Sequence, residues 1–321
     1  KDGYTVIVLN PIQSHSLREL YIRKTKTDAK DSLIIADLVR FGRCQASNVP
    51  QDKLLALREL CRSRAYLIDT AADLKRKLIA LLDRIFPEYE TLFDSIFGKA
   101  SVAVLRKYPT PQKLKNAHLE KLTEILWESS GGHFGEWKAR QLKEAAYNSF
   151  GIEDSCGVYS ALLGMFLEQI LSLTEQADLI EKQIASLLKE FDTQLTSIPG
   201  VGTVLAATIL SEIGDISRFS SADKLLAFAG LDPSVKQSGE FKSNQNRMSK
   251  RGSPYLRRAI WLASTVAVQC DPMFGAYYEK KMSEGLHYMN VVGHVSRKMT
   301  AVIFAVLRDG QSYQPVLPNA G

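Results

Sequence analysis

Two long stretches of the chain place mostly apolar residues at alternating steps of four and three positions, as in a helix that packs along one seam. The seam positions are Leu60, Arg64, Leu67, Ala71, Leu74, Leu78, Leu81 and Ile85 in the first stretch and Phe166, Ile170, Leu173, Ala177, Ile180, Ile184, Leu187 and Phe191 in the second. Because each seam exceeds three heptads, we predict two coiled-coil arms that pair with each other or with another subunit. Two long helices of an ordinary bundle are the alternative.

The start of the chain combines a strand pattern with a helix pattern. Residues 4–10, YTVIVLN, are an unbroken apolar run that predicts a buried strand. Residues 27–42 predict a helix. Its signals are Thr27 as N-cap, an apolar stripe of Ile34, Leu38 and Phe41, and Gly42 as the stop. The predicted fold class is therefore mainly α with a small α/β part.

The helical remainder divides at its breaks. Residues 88–155, between the arms, predict a helical insert interrupted at 108–111, YPTP, and at 129–132, SSGG. Pro87 ends the first arm. We divide the chain into an α/β part at 1–50, the arms with their insert at 51–192, a helical C-terminal domain at 193–312 and a tail at 313–321.

Positive charge is concentrated in one segment near the end of the chain. The 321 residues carry a formal net charge of +6, and residues 236–258 hold seven Lys or Arg against one acid, Glu240, which leaves +6 in this segment alone. These cations are Lys236, Lys242, Arg247, Lys250, Arg251, Arg257 and Arg258. Such a concentration predicts contact with a polyanion such as nucleic acid. A solvated basic loop is the alternative.

Composition excludes several classes of protein. The 4 cysteines form no CxxC pair, which argues against a zinc ribbon and a disulfide framework. No apolar run approaches the ~20 residues of a membrane span, and no signal peptide is visible. We expect a soluble, cytoplasmic protein without a membrane partner. Because the sequence opens on KDGYTVIVLNP without an initiator Met, we also expect it to be an N-terminally truncated fragment.

Ser238, in the tripeptide QSG inside the basic segment, is a candidate nucleophile. A serine hydroxyl attacks a phosphodiester only if its proton is removed and the developing charge is met by cations. The surrounding lysines and arginines could supply the second condition. Ordinary turn chemistry is the alternative for a Ser-Gly pair in a loop.

Asp28 and Asp31 lie three residues apart at the predicted helix start, so their carboxylates project from one face. A pair of this kind can share a divalent metal such as Mg²⁺, which offsets the charge of a phosphate. The alternative is that both acids only complement the helix dipole.

Residues 197–214, SIPGVGTVLAATILSEIG, predict a helix end, a tight hairpin and a second helix with Val204, Ala207 and Leu210 on its apolar face. Gly200 and Gly202 would let the backbone approach a phosphate, and the N–H groups of the following helix start are anion donors. The segment resembles the helix-hairpin-helix element of non-sequence-specific DNA-binding proteins. A simple helix–helix turn is the alternative.

Four segments together resemble the transposases of bacterial insertion sequences of the IS110 type, the IS116/IS902 group. They are RKTKTDAKDSLIIADL, IPGVGTVLAATILSEIGDISRF, KLLAFAGLDPSVKQSG and MSKRGSPYLRRAIWLA. The resemblance covers nearly the whole chain in the expected order. It implies a RuvC-like, ribonuclease-H-type domain with a DEDD set of acids, of which residues 1–50 are a remnant, then a coiled coil and a C-terminal transposase domain.

The resemblance also implies roles for the candidate residues. Asp28 and Asp31 match the last two acids of the DEDD set and would hold Mg²⁺, and Ser238 matches the serine that attacks DNA and forms a transient phosphoserine link. The partners would be DNA, as element ends and target, and a structured guide RNA. The active form would be a homo-oligomer, a dimer or tetramer, in which acids and serine from different subunits meet, associated with the bacterial nucleoid.

The first two acids of the DEDD set fall on segments that precede this sequence. We therefore expect the chain as given to be catalytically incomplete, and its rival function is that of a DNA- or RNA-binding, dimerising remnant. A third class, a repair nuclease, would leave Ser238 without a role. Robust Mg²⁺-dependent DNA cleavage by the chain as given would refute the expected incompleteness.

Overall fold

A computed structural model describes residues 14, 17, 27–42, 52–233 and 248–315, and the backbone of 237–238 and 241–242. Over these residues the helices are α1 (Asp28–Arg40), α2 (Asp52–Ile85), α3 (Lys99–Lys107), α4 (Pro111–Lys115), α5 (Leu119–Ser130), α6 (Glu136–Tyr147), α7 (Val158–Leu188), α8 (Thr203–Ile213), α9 (Ala222–Ala229), α10 (Pro254–Cys270), α11 (Pro272–Ser283) and α12 (Tyr288–Asp309). Short 3₁₀ turns lie at Pro87–Leu92, Leu195–Ser197 and Ile216–Arg218.

The mainly α class is confirmed, since the strands found in the described part of the chain are the two-residue β1 (Gln237–Ser238) and β2 (Phe241–Lys242). They pair antiparallel, with Ser238 opposite Phe241. The predicted strand at 4–10 lies outside the described residues. By contacts the chain forms two compact units, residues 1–59 with 185–321, called here the terminal unit, and residues 60–184, the middle unit.

Helix α1 begins as the sequence predicts. The Thr27 hydroxyl accepts the Lys30 N–H at 3.4 Å, which satisfies one of the free donors of the first turn. Ile34 and Leu38 are buried, as expected for the apolar stripe. Phe41 departs from the stripe: it is 65% exposed, because it is the C-cap residue and no longer follows the helical rotation.

In the middle unit the two arms contact each other within one chain. Arg64 and Glu181 form an ion pair at 2.6 Å, so the start of the first arm lies beside the end of the second. Leu78 and Ile85 share one hydrophobic cluster with Leu163, which places the opposite ends together and makes the arms antiparallel. All predicted seam positions are buried or half-buried. Regular coiled-coil packing stays a prediction.

The helix ends agree with the predicted breaks more closely at the first arm than at the second. α2 ends at Ile85, and Pro87 opens a 3₁₀ turn. α7 ends at Leu188, so the last predicted seam position, Phe191, lies beyond the helix. Both breaks of the insert are confirmed: Thr110 caps α4, and Gly131 adopts a left-handed φ of 63° after α5.

Helix α10 is central to the terminal unit, where it packs against α8, α9, α11 and α12. Asp271 caps α11 through the Phe274 N–H at 3.0 Å and accepts the Tyr313 hydroxyl at 3.1 Å. Tyr313, the first residue of the predicted tail, therefore packs on this unit. Across the described residues, none of the helices has both the length and the apolar character that a bilayer crossing demands.

Tyr89 provides a stability test of the middle unit. Its buried hydroxyl donates to the Ser101 carbonyl at 3.0 Å and accepts from the Ser101 hydroxyl at 3.1 Å. Tyr89→Phe leaves both Ser101 groups without this partner, so we expect the free energy of unfolding in urea to fall by about 1–3 kcal/mol. The control Tyr66→Phe removes an exposed hydroxyl and should change it by less than about 0.5 kcal/mol. Equal effects of the two variants would contradict this account.

Candidate nucleic-acid interface

Paired backbone joins the residues on either side of positions 234–247, the stretch that contains Ser238. Pro233 and Met248 form an antiparallel bridge, and the Ser249 N–H donates to the Asp232 carbonyl at 2.8 Å. The Ser249 hydroxyl also donates to the Asp232 carboxylate. These contacts fix the positions of the described residues that flank this stretch.

Two glycines let the chain that follows this stretch pack directly on the end of α9. Gly230 is the C-cap of α9 and has a left-handed φ of 68°. A Cβ at this position would lie 2.7 Å from the backbone nitrogen of Gly252 and 2.9 Å from that of Arg251. A Cβ on Gly252 would overlap the Phe228 carbonyl. That carbonyl accepts the Ser253 N–H at 3.2 Å. We call these backbone contacts the glycine clamp.

Ser238 lies in the short hairpin beyond the clamp. Its backbone pairs with Phe241, and Gln237 pairs with Lys242. Gly239 and Glu240 separate the two strands along the chain. The backbone pairing therefore assigns the QSG motif to the end of a hairpin, where the sequence predicted only a loop.

Some of the predicted cations belong to the residues that the structure describes, and others do not. Lys236 and Arg247 lie outside the described residues, and Lys242 is described by its backbone in β2 alone. Lys250, Arg251 and Arg258 are exposed. Arg257 is half-buried and donates to the Ala229 carbonyl at 3.3 Å, so it holds the end of α9 as well as adding charge.

A buried carboxylate positions the start of α10. Ser253 caps this helix by accepting the Leu256 N–H at 3.2 Å, and its hydroxyl donates to Glu212 at 2.8 Å. Glu212, near the end of α8, is only 4% exposed. Because the cap joins α8 to α10, it also fixes the direction in which Arg257 and Arg258 leave the first turn.

The two glycines of the predicted helix-hairpin-helix element differ in what they face. Gly200, with a φ of 83°, packs against the α10 backbone, where its Cβ would overlap the Ala263 carbonyl and lie 2.9 Å from the Ala267 nitrogen. In this structure Gly200 therefore allows its own turn to pack closely on the backbone of α10. Gly202 caps α8 and faces open space. The segment before the turn that contains Gly200 and Gly202 is the 3₁₀ turn Leu195–Ser197, where the sequence predicted a helix end.

The two predicted metal ligands lie in the first turn of α1. Asp28 is exposed, and Asp31 is half-buried. In the part of the chain that is described, groups of three or more His, Cys, Asp or Glu side chains arranged to hold a metal are not found. The described residues thus offer a pair of carboxylates.

Sequence reasoning missed the residues that hold the interface together. Asp232, Glu212 and Gly230 were not singled out, because their partners are distant in sequence or belong to the backbone. One signal was present: Gly230 directly follows the apolar helix pattern KLLAFA, as a C-terminal glycine does.

Comparison with known proteins identifies matches at both ends of the chain. The family model described as Transposase IS116/IS110/IS902 family matches residues 192–279. A second family model, for DEDD transposases of the IS110 type and described as Transposase, matches residues 1–87. The first match contains the hairpin and the glycine clamp, and the second contains Asp28 and Asp31.

Individual relatives match over most of the chain. The 44.8 kDa protein of insertion element IS116 from Streptomyces clavuligerus is 31% identical over 98% of this chain and 79% of its own length. The 43.6 kDa protein of insertion element IS110 from Streptomyces coelicolor is 27% identical over the same shares. A pilin gene-inverting protein of Moraxella bovis is 30% identical over 37% of each chain.

The glycine clamp can be tested by adding one methyl group. Gly252→Ala forces a Cβ onto the Phe228 carbonyl, so we expect the free energy of unfolding to fall by about 1–3 kcal/mol, as for an overpacked site. Gly293→Ala in α12 is the control, since its Cβ meets no atom within 4 Å and alanine favours a helix, which should stabilise by about 0.5–1 kcal/mol. Urea unfolding of both variants measures this, and a neutral Gly252→Ala would argue against the clamp.

Proposed function

We propose, because this chain belongs to the IS116/IS110/IS902 family of transposases, that it cuts and rejoins DNA with Ser238 as the nucleophile. The observation that carries the proposal is the position of Ser238 on a short hairpin, within a segment whose flanking residues Pro233 and Met248 are bridged. A nucleophile must be held close to a reactive geometry, and the joined ends restrict the segment that carries Ser238.

The proposed step is an exchange of one phosphate ester for another. The Ser238 Oγ–P bond forms while the P–O bond to one deoxyribose breaks. The serine proton passes to a base, and the departing sugar oxygen takes up a proton. Attack of a sugar hydroxyl on the phosphoserine reverses the exchange and rejoins the DNA, so no external energy source is needed.

The cations around the hairpin would stabilise the charge that develops during this exchange. Lys250, Arg251 and Arg258 are exposed beside the clamp and present N–H donors suited to phosphate oxygens. Together with Lys236, Lys242, Arg247 and Arg257 they would hold the DNA backbone, so binding should weaken steeply as salt rises. Gly202, open at the start of α8, would offer a further backbone contact, and Gly200 would shape the same turn.

Asp28 and Asp31 are the residues that would hold Mg²⁺ in this proposal. Two carboxylates completed by substrate phosphate oxygens match the ligands that Mg²⁺ prefers. When bound, the ion would offset negative charge on the reacting phosphate. The match of the DEDD-type family model over residues 1–87 supports this assignment.

We further propose that the protein acts as a homo-oligomer with a structured guide RNA. The arms already contact each other within one chain, so a second copy would meet their outer faces. Tyr66, Met165 and Leu179 are exposed apolar positions there and support such a contact. The concentration of positive charge in the basic segment supports binding of an RNA as well as DNA.

The name of the Moraxella bovis relative adds support for a rearrangement of DNA. That protein is described as inverting a pilin gene, and inversion of a DNA segment requires cleavage and rejoining. Serine chemistry on the hairpin would supply both steps in this chain.

Covalent attachment of DNA tests the proposed nucleophile. The protein, extended at its N-terminus by a segment that supplies the first two acids of the DEDD set, is incubated with Mg²⁺, candidate guide RNA and DNA carrying the element ends, then denatured and analysed by mass spectrometry. We expect a DNA adduct on Ser238 that is absent in Ser238→Ala, whose DNA affinity should stay within about twofold because a neutral side chain contributes little to phosphate binding.

Ser243→Ala, a change in the same basic segment, is the matched control and should retain the adduct. Salt-sensitive DNA binding without any adduct would instead identify a binding module and refute the proposed nucleophile.

A further inference from the structure

Arg218 lies at the end of a rigid turn in the terminal unit. The 3₁₀ turn Ile216–Arg218 is capped by Asp215, whose carboxylate accepts the Ser217 N–H at 2.8 Å and the Ser217 hydroxyl at 2.7 Å. Both oxygens of Asp215 are thereby used by its own turn. The backbone that carries Arg218 is fixed independently of the arginine side chain.

Two aromatic rings fix the Arg218 side chain. Its guanidinium carbon lies 4.5 Å from the ring centres of both Phe219 and Phe228, and the rings are 5.2 Å apart. Stacking of this kind satisfies the face of a guanidinium and leaves its N–H edge available. Toward the described residues, Arg218 makes neither a side-chain hydrogen bond nor a salt bridge, and its side chain is exposed.

A second arginine brings more positive charge to this place. Arg58 on α2, in the same compact unit, donates from Nε and Nη2 to the Ser211 carbonyl at 2.8 and 2.6 Å. Desolvation, followed by the charge of Arg58, lowers the pKa of Arg218, and Asp215 acts in the opposite direction. Arg58 is thus close enough to Arg218 for its positive charge to act on the Arg218 guanidinium.

Phe228 joins Arg218 to the glycine clamp. Its ring supports Arg218, and its carbonyl accepts the Ser253 N–H in the clamp. Arg218 therefore contacts a residue of the clamp, although it is outside the basic segment along the chain.

From these contacts we infer that Arg218 binds a phosphate of the DNA backbone beside the glycine clamp. The inference rests on the proposed function, since it assigns one more contact with the same DNA. A guanidinium fork pre-aligned by two rings suits two phosphate oxygens and loses little side-chain freedom on binding. Such a contact positions the strand without reading its sequence.

DNA affinity measured over a series of salt concentrations tests the inference. Arg218→Gln in the full chain should weaken binding of duplex DNA to a similar degree for unrelated sequences, and should reduce the slope of log K against log salt by about 1. Arg218→Lys keeps the charge but loses the fork, so it should retain the slope while still weakening binding. Asp215→Asn keeps a capping side chain, removes the competing charge and should strengthen binding.

Arg140→Gln is the matched control, because it removes one exposed arginine from the middle unit, where Arg140 pairs with Glu136 at 2.5 Å. Its slope should stay closer to that of the unaltered chain, and circular dichroism should show that all four variants fold. Equal losses of DNA affinity in Arg140→Gln and Arg218→Gln would show that the effect comes from net charge alone, and would overturn the inference.

Other outcomes separate this inference from the proposed function. If the unaltered chain binds DNA and the N-terminally extended protein forms the Ser238 adduct, but Arg218→Gln binds DNA equally well, the inference fails and the proposed function stands. A loss of RNA affinity with DNA affinity unchanged would also overturn the assignment to DNA. Failure of the unaltered chain to bind DNA at low salt would overturn both.

Discussion

The contact between the Gly252 backbone and the Phe228 carbonyl is the constraint on which the interface depends. It brings the end of α9 and the start of α10 closer than any side chain would permit. Next to this contact lie the Ser249–Asp232 backbone bond and the N-cap of α10 at Ser253. The buried Glu212 reinforces the arrangement from α8, because it accepts the hydroxyl of the same cap.

A second close approach makes α10 the helix against which the neighbouring turns are aligned. Gly200 packs on the backbone of this helix near Ala263, more than two turns beyond Ser253. Where two stretches of backbone pack directly on each other, little volume is left for rearrangement, since neither stretch has a side chain in the contact that can rotate away. The described backbone around Gly200, Gly252 and Ser253 thus forms a rigid support, of the kind that precise positioning of a bound group requires.

Periodicity made much of the helical framework predictable, because it records which face of a helix is buried. Seam positions such as Leu78 and Ile184 are buried as expected, and the proline and glycine breaks of the insert lie where the sequence indicates. Thr27 and the acids that follow it also marked the start of α1 correctly. In these places the local signal and the tertiary structure agree.

The site was less predictable, because its determinants are long-range. Two-residue strands have no periodicity to detect, so the hairpin at Ser238 could be foreseen only as a loop. Gly200 looked like a phosphate-binding glycine, since the sequence does not show that α10 occupies the space beside it. Arg218 lies ten residues from Phe228, and nothing in that spacing indicates that the two side chains stack.

The pairing on either side of the hairpin also bears on how such a protein can diversify. Because Asp232 pairs with Ser249 and Pro233 with Met248, the two ends of the stretch 234–247 are held together by residues outside it. Changes of length in a loop with fixed ends alter folding free energy only slowly, as the logarithm of the loop length. Insertions, deletions and substitutions here would therefore leave the scaffold almost unchanged. A lineage could exchange one set of nucleic-acid contacts for another within this segment while inheriting the same folded support.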